Sequence, residues 1–203
     1  MPREFKARVK LFPMEVSKAL EILDGAREAG EVVCLYSNAY SSRFSAGFVE
    51  GATHNHVVLR ALSPNGRADG WLLRPLDHIA RIDWRGQYEQ RLLFLAQMRE
   101  ARWSDFLLPV ELSADLAFET MGAAQRFELP VQIDSGSDEP AEGFVSELST
   151  DSVTLDKIAR DGNFDGHTIF SLDDIEKIIV DDADLQDLAL LSRHRGRGTG
   201  KWT

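Results

Sequence analysis

At 203 residues the chain is long for one small domain and sufficient for two compact units, each able to bury a modest core. With 43% hydrophobic and 28% charged residues it has the composition of a soluble globular protein, and no apolar run approaches the roughly 18 residues that a membrane helix requires. The net charge of −10 is uneven: residues 1–10 sum to +3, 11–95 to −1, 107–191 to −16 and 193–203 to +4. A −16 half disfavours nucleic acid there and leaves the basic ends as the phosphate-seeking parts.

Residues 1–10 carry Arg3, Lys6, Arg8 and Lys10 without a following apolar core and small-residue cleavage site, so no secretion signal is expected. From Pro13, the spacing of Val16, Ala19, Leu20, Ile22 and Leu23 predicts a helix that stops near Ala29 and Gly30. Strand patterns follow at Val33 and Leu35, at Phe44, Ala46 and Phe48, and at Val57, Leu59 and Ala61, each alternating as on a half-buried sheet. Asn65-Gly66 and Asp69-Gly70 predict tight turns into a last strand pair, Trp71 to Arg74 and Ile79 to Trp84. Cys34, the only cysteine, lies in an apolar run and reads as a small buried hydrophobe, which suits a reducing cytoplasm. Tyr88, Leu92, Leu95 and Met98 fall at helical steps in a segment 86–106 that joins this half to the next.

That next half repeats the first. At an offset of 96, 21 of the 85 positions from 11 to 95 are identical, against about five expected from typical residue frequencies. Leu11, Pro13, Glu15, Ser17 and Leu20 meet Leu107, Pro109, Glu111, Ser113 and Leu116, placing a second helix from Pro109 through Phe118. Gly47-Phe48-Val49 meets Gly143-Phe144-Val145, and Gly66, Asp69 and Gly70 meet Gly162, Asp165 and Gly166. Leu76, Asp77, Ile79 and Ile82 meet Leu172, Asp173, Ile175 and Ile178, so the last strand pair recurs at His167 to Phe170 and Ile175 to Val180. The shared positions are apolar residues and turn glycines, which set a fold rather than a reaction. The expected organisation is therefore a mainly β protein with helices: a first repeat at 11–85, a helical linker at 86–106, a second repeat at 107–182, a terminal helix at 183–192 and a basic Gly/Arg tail at 193–203. Each repeat is expected to be a short helix followed by a small five-stranded barrel.

Gly47-Phe48-Val49-Glu50-Gly51-Ala52, followed by Val57-Val58-Leu59, resembles the first Sm motif, and Leu76-Asp77-His78-Ile79-Ala80-Arg81-Ile82 resembles the short second one. The chain thus resembles a tandem of Sm-like (SH3-like) barrels, with spacing most similar to the bacterial Hfq branch. The resemblance implies ring assembly by pairing of the fourth strand of one unit with the fifth of the next, and often RNA binding. Where the family places an aspartate and a base-stacking residue, this chain has Thr53, His54 and Asn55, then Ser149, Thr150 and Asp151. At the lysine-histidine pair of Hfq-like proteins this chain has Asp77 and His78, or Leu76 and Asp77 if the register slips by one, with the lysine missing on either alignment, and in the second half Asp173 and Asp174.

His54 and His56 form an H-x-H pair to which His78 could add a third imidazole, but Thr150, Ser152 and Asp174 replace them in the second half; the expected metal site is none. Asp161 to Gly166 resembles the opening of a calcium loop, yet Leu172 stands where the bidentate glutamate belongs, so a double turn is expected. Arg193, Arg195 and Arg197 alternate with small or polar residues in a tail that either grips phosphate, docks on the acidic half or serves solubility. No nucleophile elbow, P-loop, dinucleotide fingerprint or Cys-His pair is present; no catalytic residue and no cofactor are expected. The leading expectation is a non-enzymatic assembly or interaction module, a homo-oligomer or pseudo-symmetric ring, in the cytoplasm and away from membranes. Alternatives are an RNA-binding protein using His54, Asn55, His78, Arg193, Arg195 and Arg197, with RNA or a basic protein as partner, and a metal protein or enzyme at His54, His56 and His78.

Overall fold

The structure, a computed structural model, describes residues 15–104, 115–136 and 139–198. Helix α1 (Val16–Ala29) buries Ala19, Leu23 and Ala26 and ends where Gly30 turns left-handed at φ 64°, its N–H reaching back to the last carbonyls of the helix. Five strands follow: β1 (Val32–Tyr36), β2 (Ser45–Ala52), β3 (His56–Leu62), β4 (Ala68–Pro75) and β5 (Arg81–Trp84), with a single 3₁₀ turn at Leu76–His78 before the last. Helix α2 (Gln87–Met98) joins the halves. The second half repeats the order with α3 (Leu116–Arg126), β6 (Val131–Asp134), β7 (Ala141–Leu148), β8 (Ser152–Ile158), β9 (Phe164–Ser171), a 3₁₀ turn at Leu172–Asp174, β10 (Lys177–Val180) and α4 (Ala183–Gly198).

All ten strands belong to one open antiparallel sheet in the order β5-β1-β2-β3-β4-β10-β6-β7-β8-β9. The chain is thus mainly β with four α-helices among the described residues. Each half arranges its strands identically, fifth-first-second-third-fourth, and the halves are fused where β4 of the first pairs with β10, the fifth strand of the second. Even the local irregularities recur: β2 slips register against β3 between Val49 and Gly51, and β7 against β8 between Val145 and Glu147.

One cluster lies between α1 and the first half of the sheet, built on Leu23, Val33, Leu35, Leu59 and Ile82. The corresponding cluster under α3 contains Met121, Val131, Ile133, Leu155 and Ile178, and it also takes in Val58, Trp71 and Leu73 of the first half. The two interiors are distinct but interlocked across the junction. A third cluster, with Val32, Cys34, Tyr36, Leu92 and Ala96, covers the opposite face of β1 with α2. This corrects the half-buried alternation expected of β1: all five residues are buried, because α2 closes the face that would otherwise meet water. Burial, with Glu89 beside it, pushes the Cys34 thiol far above its ordinary range.

The gap-free offset of 96 also needs correction in the first third of the repeat. From β2 onward it holds, since Val33 pairs with Gly47 as Val131 does with Gly143, and Leu35 with Ile82 as Ile133 does with Ile178. Those same pairs set Val33 against Val131 and Leu35 against Ile133, an offset of 98. The helices follow it: Ala19, Leu23 and Ala26 correspond in burial to Ala117, Met121 and Ala124. Leu20 and Leu116, identical at an offset of 96, therefore do not occupy equivalent helix positions, and the second helix runs beyond Phe118 to Arg126. The expected helix start at Pro109 lies outside the described residues. Two residues fewer between the first and second strands of the second half restore the register.

Asp69-Gly70 and Asp165-Gly166 were expected as turns, yet both lie inside strands. Gly70 adopts φ 71° within β4, next to the register slip between Arg60 and Leu62. The reversal itself is made at Ser63–Arg67, where the Ser63 carbonyl accepts from Gly66 and its N–H donates to the Arg67 carbonyl. The matching reversal is made at Ala159–Asn163, where the Ala159 carbonyl accepts from Gly162, the Ala159 N–H donates to the Asn163 carbonyl and the Asp161 carboxylate accepts from the Asn163 backbone N–H at 3.0 Å. Helix α4 continues through Gly198, so the segment 193–198 is part of the terminal helix.

Candidate functional site

The β2–β3 turn is tied down by Thr53, whose N–H donates to the His56 carbonyl at 2.8 Å while its hydroxyl accepts from the His56 N–H at 3.2 Å. Leu76 donates to the Asn55 carbonyl at 2.7 Å and thereby brings the 3₁₀ turn beside this loop. His54, Asn55, His56 and His78 consequently share one wall of a cleft of about 960 Å³ at the junction of the halves. The opposite wall comes from the second half, with Asp115, Asp173, Asp174 and Glu176. Asp115 is held at the start of α3, accepting from the Phe118 N–H at 3.0 Å.

This arrangement separates the residues expected to act together. Arg193 does not line the cleft; it borders a smaller cavity with Gln125, Glu128 and Phe144. Arg195 and Arg197 lie farther along α4. The cleft carries carboxylates from both halves, which repel phosphate and oppose RNA at His54, Asn55 and His78. Three histidines meet there, but among the described residues no group of three or more His, Cys, Asp or Glu side chains is placed to hold a metal ion.

Burial is the largest influence on His56 and lowers its pKa below the usual 6.5, against the opposing pull of Asp115, Asp77 and Asp173. Its Nδ1 is buried without a hydrogen-bond partner among the described residues. A histidine held neutral in this way stabilises the fold fully above pH 6.5, and that contribution is lost as the pH falls from 6.5 through the lowered folded value. His56→Gln is therefore expected to flatten the fall of the urea midpoint just below pH 6.5. An unchanged slope in the variant would assign the pH dependence to other groups.

A second group of residues, not singled out in the sequence, lines a cavity of about 440 Å³ with Ser37, Arg43, Arg74, Asp134 and Lys177. Arg74 donates from Nη2 to the Ser37 hydroxyl at 2.8 Å, and its Nε is buried without a hydrogen-bond partner among the described residues. Burial lowers its pKa while Asp134 and Glu176 raise it. The signal was present: Arg74 interrupts an apolar strand, and Phe170 occupies its place in the repeat.

The remaining distinctive surfaces are the two ends of the sheet. Among the described residues β5 and β9 each have one neighbour, β1 and β8 respectively. On them Trp84 is 40% and Ile169 67% exposed, large apolar side chains on unpaired edges. No helix among the described residues is long and apolar enough to cross a membrane. No protein-family model, curated protein or solved structure matches the chain.

Proposed function

We propose that this chain is a non-enzymatic assembly module, a tandem of two Sm-like barrels that self-associates through the free edges of its sheet. One observation carries the reading: the two halves are already joined by pairing a fourth strand with a fifth, and among the described residues this join leaves one strand of each kind without a second neighbour at the outer ends. An unpaired strand presents a row of backbone donors and acceptors that a like edge satisfies. Covalent linkage of two units guarantees the first junction and leaves only the second to form between chains. Cys34, buried and alone, fits work in a reducing cytoplasm.

Amide hydrogen exchange of the full chain across a concentration series tests this. Protection of β5 and β9 is expected to rise with concentration while that of the interior strands stays constant. Exchange at both edges that is independent of concentration, together with a purely monomeric sedimentation profile, would overturn the proposal.

A further inference from the structure

Arg74 is half-buried at the end of β4, donates to the neutral Ser37 hydroxyl, and has no carboxylate within ion-pair distance among the described residues. Arg43, exposed on the loop between β1 and β2, lines the same cavity of about 440 Å³ and is also without an ion pair among the described residues. Charges withdrawn from water are as a rule paired. We propose that this cavity binds a small phosphorylated molecule, whose phosphate group supplies the counter-charge between Arg74, Arg43 and Lys177.

The sheet itself crowds positive charge at this place. Leu73 pairs with Ile178 across the junction of the halves, and one step further the same register sets Arg74 opposite Lys177 on one face. Like charges facing each other across strands destabilise a sheet. Lys177 has Asp134 on its other side, in register and 3.9 Å away. Arg74 has no such neighbour, and the fold does not require a cation there, since Phe170 takes its place in the second half.

The donors come from separate elements. The Ser37 hydroxyl accepts from Arg74 Nη2 at 2.8 Å and keeps its own proton to donate. Arg43 is placed by a loop with its own hydrogen bonds: its N–H donates to the Ser41 hydroxyl at 2.9 Å, and the Ser41 N–H donates to the Asn38 carbonyl at 3.0 Å. Two guanidiniums, an ammonium and a hydroxyl suit the three oxygens of a phosphate monoester better than the two coplanar oxygens of a carboxylate. The two unpaired guanidiniums also match its charge, about −1.5 to −2 at pH 7.

The other lining groups limit the ligand to a small molecule. Asp134 and Glu176 share the cavity, and His78 borders both it and the neighbouring cleft, where Asp173 and Asp174 stand. A strand of successive phosphates leaving on that side would run into these carboxylates, which disfavours nucleic acid. Phe44 provides an apolar wall for the rest of the molecule; its ring lies 5.1 Å from those of Tyr36 and Tyr88.

Calorimetric titration of the full chain with phenyl phosphate, inorganic phosphate and benzoate, at constant ionic strength, provides the test. Saturable binding of phenyl phosphate is expected, weaker binding of inorganic phosphate and weaker still of benzoate. Arg43→Gln and Arg74→Gln are each expected to lower the affinity for phenyl phosphate about tenfold or more. The Arg43 side chain makes no hydrogen bond or ion pair among the described residues, so Arg43→Gln decides the matter even if Arg74→Gln fails to fold. Arg99→Gln, at the exposed end of α2, is expected to bind as the native chain does. No saturable binding of phenyl phosphate, or binding that Arg43→Gln leaves unchanged, would overturn the assignment. Benzoate bound as tightly as phenyl phosphate would replace the phosphate with a carboxylate, and equal affinity for the two phosphates would replace the organic ligand with the free ion; either result overturns the proposal. Tighter binding of single-stranded RNA, weakened by the same two substitutions, would reject a small molecule in favour of nucleic acid.

Discussion

Gly47→Ala and Gly143→Ala are each expected to destabilise the chain by about 3 kcal/mol or more, read as a lower urea midpoint at unchanged slope. The reason is steric and lies wholly in the backbone. A Cβ on Gly47 would run into the Arg60 carbonyl group, and one on Gly143 into the Asp156 carbonyl group, where the second strand of each half bends across the third. Backbone held in a sheet ladder cannot swing aside as the end of a flexible side chain can, so the added methyl forces the strands apart. Gly25→Ala is the control: Gly25 lies inside α1 with nothing within 4 Å, and alanine there is expected to stabilise the helix by about 0.5–1 kcal/mol. Equal responses at Gly25 and Gly47 would refute the close approach.

The junction between the halves should be the second point of greatest sensitivity. Leu73 and Ile178 lie directly opposite each other, 1% and 0% exposed, in the core cluster that spans the junction. Truncating either to alanine is expected to cost about 2–5 kcal/mol, the range for a buried aliphatic side chain that leaves a cavity. Because each lines the space left by the other, the double variant should lose less than the sum of the singles. Trp71 sits in the same cluster, so its fluorescence and the far-ultraviolet signal should report a single transition that shifts as one. Two separated transitions, only one of them moved by Leu73→Ala, would show that the halves fold independently.

Much of the fold is legible in the residues because it rests on periodicity and on backbone chemistry. The alternation of Val57 and Leu59, the Gly47-Phe48-Val49 and Gly143-Phe144-Val145 pair, and Gly30 at a helix end all report local requirements that survive without tertiary information. The helix register was not legible. Identities at 15, 17 and 20 favour an offset of 96, but burial of Leu23 and Met121 fixes it at 98, since only side chains that reach the sheet decide which helix face is inside. The roles of Gly70 and Gly166 were misread for a related reason. An Asp-Gly pair reports a left-handed residue, and a left-handed residue serves a strand irregularity as well as a turn.

The candidate site divides in the same way. His54, His56 and His78 were visible as residue types, and hydrogen bonds at Thr53 and Leu76 bring their loops together, but the carboxylates that line the cleft with them come from two places in the second half, Asp115 at the start of α3 and Asp173, Asp174 and Glu176 around the second 3₁₀ turn. Arg74 on β4 carries a charge whose partner, Ser37, follows β1, a strand separated from β4 by β2 and β3 in the sheet order. By itself the sequence determined that one unit occurs twice, which elements each copy contains and how charge is divided between them, because these depend on residue spacing and composition. Only the tertiary structure decided that the copies share one sheet, that β4 takes β10 as its neighbour and that, among the described residues, β5 and β9 form its ends. Strand pairing across a junction is a choice among edges of similar chemistry, and it depends on the fit of the packed backbone, as the close approach of Gly70 to the end of β10 illustrates.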